Sequence, residues 1–506
     1  MFWNTLSARH EQVASSEPLW QGSKGRSGVA RTTIPGSLGL PYVGETVALF
    51  SNPLTFVAKR RQRYGMAFKT RVLGNRLAAV LPGADAQQVV LVSGGADSPF
   101  HAGTGYGTLE PFLGTSLLQL DGTSHQVQRK LVTPAFQAHN YTEYLARINR
   151  AYDSVAAGWP AHGQRRLYDD AHAIALRVST ALVIGVEPEG DRDGQRRSED
   201  GGQRRDQRVD GGPAAQDVGN LDRLLNTLFA GTVDPLQLDL PFTRYRRARA
   251  AKSRLDARLR LLVAQRRAAP AGDVLSLFLA ARDEEGHPLS EEQLLAHLRL
   301  LLFAGYDTTT AALSWGLIEL LRHAAVYERV RSEVRADSVA GDVPVTVQDL
   351  RAMPYLDACI KETLRLHPAT SVLLRGVQEP FTFAGHTIPA GWVVVLPIAY
   401  THRMAEYFDE PERFEPERFL APREEDRRTP YAWMGFGGGA HTCLGMGIAQ
   451  IEIKTVFARL LRQFDLKLVP EQDTSTVFVP VNRPRGGAIV AFTRKAASPV
   501  ARSALL

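Results

Sequence analysis

Cys443 restricts the possible folds of this 506-residue chain more than any other residue, because it ends a glycine-rich turn. Gly437, Gly438 and Gly439 precede it, and Gly445 follows it. A turn of this composition presents the sulfur to a flat partner and directs backbone N–H groups at it. These donors stabilise a thiolate, the form of cysteine that binds metals. A lone cysteine is more often an inert buried side chain, but the surrounding glycines favour a metal ligand here.

Cysteine usage also bounds the class of protein. The chain contains two cysteines, Cys359 and Cys443, too few for a disulfide framework or for an iron–sulfur or zinc cluster of several cysteines. This usage predicts a reducing, cytoplasmic setting. Residues 1–33 lack the apolar core of a signal peptide, and Glu11 and Glu17 argue against a transit peptide.

The most apolar long stretch runs from Leu294 to Leu321 and contains His297, Arg299 and Asp307. Charged residues are costly within a bilayer, so the stretch predicts a buried helix rather than a membrane span. We therefore expect no transmembrane anchor, while peripheral contact with a membrane stays open. We also expect a monomer.

The net charge of +7 raises the question of a nucleic-acid partner. The basic residues are scattered along amphipathic segments among many acids, so no nucleic-acid module is predicted. A solvated basic surface is the simplest interpretation, and a basic patch that docks an acidic electron-transfer protein is the functional alternative.

The pattern of apolar residues predicts a mainly α fold with a small β-rich part. Helical periodicity extends from Val218 to Leu366. Within it, Ser290 and Gln293 form a capping box before a helix that we expect to run to about His323, roughly 50 Å at the rise of an α-helix. Strand-like segments follow, and we expect strands to be few and mostly C-terminal. These segments are 371–377, 381–397 and 477–492.

One domain is expected to span residues 34–495, beginning with an irregular Pro- and Gly-rich loop at 34–41. Residues 1–33 form an irregular N-terminal extension, and residues 496–506 form a tail. Residues 190–216 are rich in Gly, Asp, Arg and Gln, with almost no large apolar side chain, so they predict a disordered, charged insertion within the domain.

A second motif lies inside the long predicted helix, where Ala304 and Gly305 precede Asp307, Thr308 and Thr309. Taken alone, the threonines are best explained as helix residues whose hydroxyls donate to the carbonyl four positions earlier. A role of the acid and hydroxyl in proton transfer is the alternative.

Two further motifs pair charged residues on one helix face. Glu362 and Arg365 are spaced by three, as are Glu328 and Arg331, and most such pairs are solvated surface ions. His125 and Arg129, spaced by four, would suit a carboxylate partner, although two exposed side chains are the ordinary interpretation.

Together, the segment Phe436–Gly445, the Ala304–Thr309 motif, the Glu362/Arg365 pair and the His125/Arg129 pair occur in the order typical of the cytochrome P450 family, which this chain resembles from about Ile34 to Phe492. The resemblance implies the family's triangular, mainly α prism with a small β-rich lobe, and one haem b as cofactor. It departs from the family pattern at the insertion 190–216 and at the N-terminal extension.

The resemblance implies that Cys443 is the axial iron ligand, in a loop that includes Phe436 and Gly439. It implies that Thr308 and Asp307 deliver protons during oxygen activation. The remaining residues divide into haem-propionate contacts and a buried structural network. The propionate contacts are His125, Arg129, Arg375 and His441, and the network is Glu362, Arg365 and Arg418. Several relatives have Trp at the first propionate position and Arg at the last, so we expect the two histidines to make this pairing pH-dependent.

The implied activity is that of a haem-thiolate monooxygenase, which inserts one atom of O2 into a lipophilic small molecule. Because no flavin domain or ferredoxin is visible in the sequence, the electron donor is expected to be a separate ferredoxin with its reductase, or a flavodoxin. A peroxide-using peroxygenase or isomerase, and a haem sensor or carrier, are the rival classes. Asp307 and Thr308 argue against them.

The substrate is the least defined expectation. The expected pocket walls include Phe303, Ala304, Val372 and Val477, which are apolar or small. The segments 39–46 and 240–245 resemble the branch of the family that contains retinoic-acid hydroxylases. An isoprenoid such as a retinoid or carotenoid is therefore the first expectation, and a fatty acid or sterol-like molecule is the alternative.

Overall fold

A computed structural model describes residues 33–41, 43–72, 75–93, 95–187, 213–232, 234, 238–335 and 343–495, of which 96 and 213–218 are described by their backbone alone. Almost all of the predicted N-terminal extension, the tail, and positions 190–212 of the predicted insertion lie outside these residues.

Within that range the chain forms eighteen α-helices. They are α1 Thr46–Ser51, α2 Pro53–Tyr64, α3 Ala84–Val92, α4 Ala102–Gly105, α5 Glu110–Leu113, α6 Gly122–Val132, α7 Tyr141–Ala156, α8 Leu167–Ile184, α9 Pro213–Thr232, α10 Arg244–Ala268, α11 Val274–Ala280, α12 Glu291–Arg322, α13 Ala324–Arg335, α14 Val347–Arg351, α15 Pro354–Leu366, α16 Ile398–Thr401, α17 Glu425–Arg428 and α18 Met446–Gln463.

Twelve strands occur in the same described residues and form four sheets. A five-stranded sheet has the order β1-β2-β8-β5-β3, a three-stranded sheet the order β4-β12-β9, and β6-β7 and β10-β11 are two-stranded. The strands are β1 Phe68–Val72, β2 Arg76–Val80, β3 Phe100–His101, β4 His162–Arg166, β5 Leu373–Val377, β6 Phe381–Phe383, β7 His386–Ile388, β8 Val393–Leu396, β9 Phe464–Leu468, β10 Thr476–Val477, β11 Arg483–Pro484 and β12 Ile489–Arg494.

The long helix α12 has the start and the end that the sequence predicts. Ser290 Oγ accepts from the backbone N–H of Gln293 at 3.2 Å, and the Gln293 side chain accepts from the Ser290 N–H at 2.9 Å, which completes the capping box. The helix ends at Arg322 after 32 residues, about 48 Å at 1.5 Å per residue. His297 and Arg299 within it are buried, so the prediction of a buried helix is confirmed.

The main apolar core surrounds α12, which packs along α8 and also contacts α15 and α18. Leu298, Leu302 and Ile318 of α12 are fully buried in this core. Because its neighbours come from both halves of the chain, α12 holds the N-terminal and C-terminal elements in one unit.

The five-stranded sheet has a second apolar core on each face. Val393 and Val395 of β8 pack on one face, and Val394 and Leu396 pack on the other, as the alternation of a strand requires. Strand β2 pairs with β8 in parallel, and the other pairs of this sheet are antiparallel. This sheet is the β-rich part expected from the sequence.

Two features of the fold differ from the sequence prediction. Four of the strands, β1 to β4, lie in the N-terminal third of the chain, where no strand was predicted; they are short and pair with distant segments such as β8 and β12. Helix α9 begins at Pro213, so positions 213–216 of the predicted insertion are helical. Proline suits the first helical turn, and the alanines that follow favour helix.

Candidate active site

The turn that carries Cys443 is fixed by its glycines. Gly437 and Gly439 have φ values of +72° and +67°, which side chains rarely adopt. A Cβ on Gly439 would lie 2.2 Å from the carbonyl oxygen of Leu91, so the chain can pass there only as glycine. The Cys443 N–H donates to the Phe436 carbonyl at 2.9 Å and closes the loop.

The Cys443 side chain is exposed, yet it lies deep enough in the protein that burial raises the pKa of its thiol. The Gly445 N–H donates to the sulfur, and Arg129 lies near it; both lower the pKa and oppose the effect of burial. Helix α18 starts at Met446, so its N-terminal dipole also favours a thiolate at this position.

Two small residues at the middle of helix α12 are accessible. Ala304 and Gly305 are exposed, although Leu302 and Tyr306 on either side of them are fully buried. A Cβ on Gly305 would lie 3.0 Å from Ser179 Oγ of α8, so the small residue also permits close packing of the two helices. The helix therefore offers a short face without side-chain bulk.

The hydroxyls of the threonine run all donate backward along the helix. Thr308 Oγ1 donates to the Ala304 carbonyl at 2.7 Å, and Thr309 and Thr310 donate to the carbonyls four residues before them. The structural interpretation weighed for the sequence is thus correct for the donor side of each hydroxyl. Thr308 alone of the three is not buried, and its oxygen keeps lone pairs that can accept a proton or a hydrogen bond.

Asp307 belongs to a cluster that the sequence motifs did not reveal. Its Oδ1 lies 3.9 Å from Nδ1 of His172 on α8, and His172 Nε2 lies 3.0 Å from Oδ1 of Asp222 on α9. Burial raises the pKa of Asp307 to about 6, although His172 and Arg483 oppose the shift. A carboxyl group with a pKa near the working pH is suited to proton transfer.

The four expected propionate contacts come together, from α6, β5 and the Cys443 loop. The ring centroids of His125 and His441 lie 4.1 Å apart, and Arg129 donates to the Thr442 carbonyl at 2.7 Å. Arg375 lies close enough to both histidines to lower their pKa values. Asp121, which sequence reasoning did not assign, accepts from Ala102 and Gly103 N–H groups and lies 3.5 Å from His441 Nε2.

The protonation of the two histidines is also set by this cluster. Burial, together with His441 and Arg129, lowers the pKa of His125 to about 3. Burial lowers the pKa of His441 as well, against the hydrogen bond to Asp121. The groups of the protein itself thus favour the neutral form of both rings near pH 7. His125 Nε2 is buried and has no hydrogen-bond partner among the described residues.

Comparison with known proteins decides the family. The family model for cytochrome P450 matches residues 34–490.

This chain is a member of the cytochrome P450 family.

It is similar to a putative cytochrome P450 120 from Synechocystis sp., at 31% identity over 89% of this chain and 94% of the relative. It is 28% identical to human cytochrome P450 26B1 over 95% of this chain and 91% of that protein. The solved structure of the retinoic acid-bound cyanobacterial CYP120A1 superposes with a TM-score of 0.79 at 29% identity, covering 92% of this chain and all of that one. The P450 fold, haem as cofactor and monooxygenase activity follow from membership.

The residues of this P450 fit haem. The sulfur of Cys443 is accessible and accepts a hydrogen bond from the Gly445 N–H. It lies in a loop that has no room for a side chain at Gly439. The unpartnered Nε2 of His125 and the guanidinium groups of Arg129 and Arg375 suit the carboxylates of a haem. These donors match the chemistry that iron and two propionates require.

The Glu362 network is fully buried, unlike the Glu328/Arg331 pair, which has the same spacing. Arg365 donates twice to Glu362, at 2.7 and 2.9 Å, and Arg418 donates to Glu362 at 3.0 Å. All three side chains have no exposed surface, whereas the Glu328 side chain is 63% exposed. Glu425, which the sequence did not single out, accepts from Arg418 at 2.7 Å and balances the second guanidinium charge.

The expected substrate-pocket residues Phe303 and Val372 belong to different apolar clusters. Phe303 is half-buried and stacks on Phe229 of α9, with ring centroids 4.0 Å apart, next to Val481. Val477 is half-buried in β10. Val372 is packed with Leu374 and Val393 in the core of the five-stranded sheet, so this side chain fills the core. Sequence reasoning missed Phe229 and Val481, whose segments carry no motif.

Among the residues that the structure describes, no helix combines the length and the apolar character that crossing a bilayer requires.

Proposed function

We propose that this P450 hydroxylates a lipophilic isoprenoid, with retinoids and carotenoids as the class to test first, and that a separate ferredoxin or flavodoxin supplies the electrons. The observation that carries the proposal is the stacked pair Phe303–Phe229, which adjoins the exposed Ala304 of α12.

The two rings are nearly parallel, with an interplanar angle of 18°, and they form an apolar cluster with Ala311 and Val481. A conjugated polyene is flat and rigid, so it loses little conformational freedom on binding and gains dispersion contacts against a flat wall. The likeness to a P450 whose structure contains retinoic acid supports the same class.

In this proposal the Cys443 sulfur would bind the haem iron, and the Gly445 N–H would fix the orientation of that sulfur. His125, Arg129, Arg375 and His441 hold the propionates, and Asp121 orients His441 through their 3.5 Å contact. A propionate beside His125 and His441 would favour their charged forms and so strengthen the pairing. Haem, once bound, supplies oxygen activation and oxygen insertion.

Thr308 and Asp307 deliver the protons that oxygen activation requires. Thr308 Oγ1 is held by its bond to the Ala304 carbonyl, and the residue is only partly buried, so its lone pairs remain able to accept a hydrogen bond. We assign Asp307 as the carboxyl group that receives protons from the surface side and passes them toward that hydroxyl. Its pKa of about 6 lets it do both near neutral pH.

The substrate class is tested by the spin-state shift of the ferric protein on titration with all-trans-retinoic acid, a carotenoid, a long-chain fatty acid and a sterol. We expect the retinoid or the carotenoid to bind most tightly. Replacing Phe229 with Ala should weaken that binding by roughly 3- to 10-fold, the value of one aromatic contact. Phe242→Ala is the control, because Phe242 is 94% exposed. Tightest binding of the fatty acid or sterol, or equal effects of the two variants, contradicts the assignment.

Reconstitution separates a monooxygenase from the rival classes. With NADH, a ferredoxin and its reductase, or a flavodoxin in place of the ferredoxin, we expect hydroxylated product. Product formed only with hydrogen peroxide would instead indicate a peroxygenase, and haem binding without turnover under either condition would indicate a sensor or carrier.

A further inference from the structure

We infer that His172 supplies protons to Asp307 and that Asp222 holds the imidazole in position for this transfer. The inference rests on the proposed role of Asp307 and adds two residues on other helices to it.

The three side chains are neighbours on three helices, with His172 between the two carboxylates. Asp222 on α9 accepts from Asn226 at 2.8 Å and lies 3.0 Å from His172 Nε2. On the other side of the ring, Nδ1 lies 3.9 Å from Oδ1 of Asp307 on α12. The side chains are 31% exposed at Asp222, 20% at His172 and 15% at Asp307, so exposure decreases from the surface toward α12.

Within the described part of the chain, one ring nitrogen of His172 is hydrogen-bonded, and the other is not. Nε2 is bonded to Asp222, whereas Nδ1 is buried and has no hydrogen-bond partner among the described residues. A gap of 3.9 Å is too long for a hydrogen bond, but a small rotation of either side chain, or one water molecule, closes it. Asp307 is the carboxylate in reach of Nδ1.

The other groups around the ring keep it in place without competing for the proton. Tyr306 of α12 contacts the ring edge-on, with centroids 5.2 Å apart, and Tyr168 of α8 is parallel to it at 6.4 Å. Burial raises the pKa of Tyr168 to about 12 and that of Tyr306 still further, so both phenols stay neutral. The remaining charges are Asp169 of α8, which raises the pKa of His172, and Arg483 of β11, which lies near Tyr168 and Asp307.

The surroundings keep the donor protonated and make the acceptor more basic. Burial lowers the pKa of His172, but the hydrogen bond to Asp222 and the charges of Asp222 and Asp307 raise it by more, to above its ordinary value of 6.5. The pKa of Asp307 is about 6. The imidazolium is therefore present near neutral pH, and burial makes Asp307 a stronger proton acceptor than an ordinary carboxylate.

The transfer conserves protons. The imidazolium gives its Nδ1 proton to Oδ1 of Asp307, which becomes a neutral carboxylic acid, and the ring keeps its Nε2–H bond to Asp222. When Asp307 passes the proton on toward Thr308, the carboxylate reforms. A proton from solvent then returns the ring to imidazolium.

This arrangement predicts a pH dependence of coupling, the ratio of product formed to NADH consumed. Because the imidazolium is the donor, coupling should be full below the raised pKa of His172 and should fall as the pH increases through it. Asp222→Asn keeps a hydrogen bond to the ring but removes the charge, so the midpoint should move to lower pH.

The experiment measures product, NADH and hydrogen peroxide from pH 5.5 to 9 in the haem-loaded protein and in His172→Gln, Asp222→Asn and Asp307→Asn. His139→Gln is the matched control, because His139 is exposed and outside the cluster. We expect His172→Gln to lower coupled product formation by about 10-fold or more at pH 7, where most of Asp307 is ionised, and to remove the decrease that follows the titration of His172. The control should match the wild type. Haem content and substrate-induced spin shift should be unchanged in all four variants.

A second readout does not depend on turnover. In protein labelled at its histidine rings, the NMR signal lost in His172→Gln identifies this residue, and its titration should have a midpoint above 6.5. The midpoint should decrease in Asp222→Asn. If His172→Gln fails to load haem, Asp222→Asn is used for both the coupling assay and the NMR titration.

The outcomes distinguish this inference from the proposed function. Loss of coupling in Asp307→Asn but not in His172→Gln overturns the role of His172 alone. Unchanged coupling in both variants overturns the role of Asp307 as well. Loss in His172→Gln but not in Asp307→Asn overturns the inference, since the proton would then have another acceptor. If the titration midpoint of His172 does not change in Asp222→Asn, the role assigned to Asp222 is overturned.

Discussion

Replacing Glu362 with Ala removes the only carboxylate that joins Arg365 to Arg418 among the described residues. Glu362 accepts four hydrogen bonds, of which three come from the two guanidinium groups and one from the Glu415 N–H at 2.8 Å. In the variant, Arg365 keeps only backbone carbonyl acceptors, those of His402, Pro411 and Arg413. A buried cation would remain without its counter-ion.

The expected loss of unfolding free energy is about 3 to 5 kcal/mol, the usual cost of breaking a buried ion pair from one side. Domains are typically stable by only about 5 to 15 kcal/mol, so much of the protein should fail to fold or to retain haem. Glu328→Ala is the matched control. It removes a pair with the same spacing, in which Glu328 is 63% exposed, and should cost at most about 1 kcal/mol.

The assay is urea denaturation followed by far-UV circular dichroism, with haem content per chain measured on the same samples. Glu362→Gln, which keeps the shape of the side chain but not its charge, should fall between the wild type and Glu362→Ala. Equal midpoints and equal haem content for Glu362→Ala and Glu328→Ala would refute the stabilising role of the network.

Two further predictions concern the active site. Thr308→Ala should still bind haem and substrate and consume NADH, but product should decrease by about 100-fold or more while hydrogen peroxide accumulates, because a positioned proton-transfer group is lost; unchanged coupling in a product, peroxide and NADH assay would favour a purely structural threonine run. Gly439→Ala should destabilise the Cys443 loop by about 1 to 3 kcal/mol from backbone strain alone, and more from the contact with the Leu91 carbonyl. Gly107→Ala is its control, since a Cβ there meets nothing within 4 Å; equal haem occupancy in the two variants would show that the loop tolerates a side chain.

The parts of the fold that could be predicted from sequence are those set by local spacing. The capping box at Ser290, the end of α12 at Arg322 and the glycine turn before Cys443 each depend on residues within a few positions of one another. The burial of Glu362 could be predicted only through resemblance, because Glu328 has the same spacing and lies on the surface.

The parts that could not be predicted depend on contacts between distant segments. Strand β2 pairs with β8 more than 300 positions later, and no local pattern in the chain specifies that partner. The bond between His172 and Asp222 joins two helices on opposite sides of the charged insertion. No motif singles out Asp121, and its role follows from the approach of His441 in the folded chain.

The position of the Soret band of the reduced protein with carbon monoxide tests the central claim most directly, that Cys443 binds haem iron as a thiolate. The wild type should show the red-shifted band of thiolate ligation. Cys359→Ala should retain that band, because Cys359 is 1% exposed and burial raises its pKa well above the ordinary value. Cys443→His should abolish it. A red-shifted band and activity that persist in Cys443→His would contradict the assignment of the ligand and, with it, the account of the site.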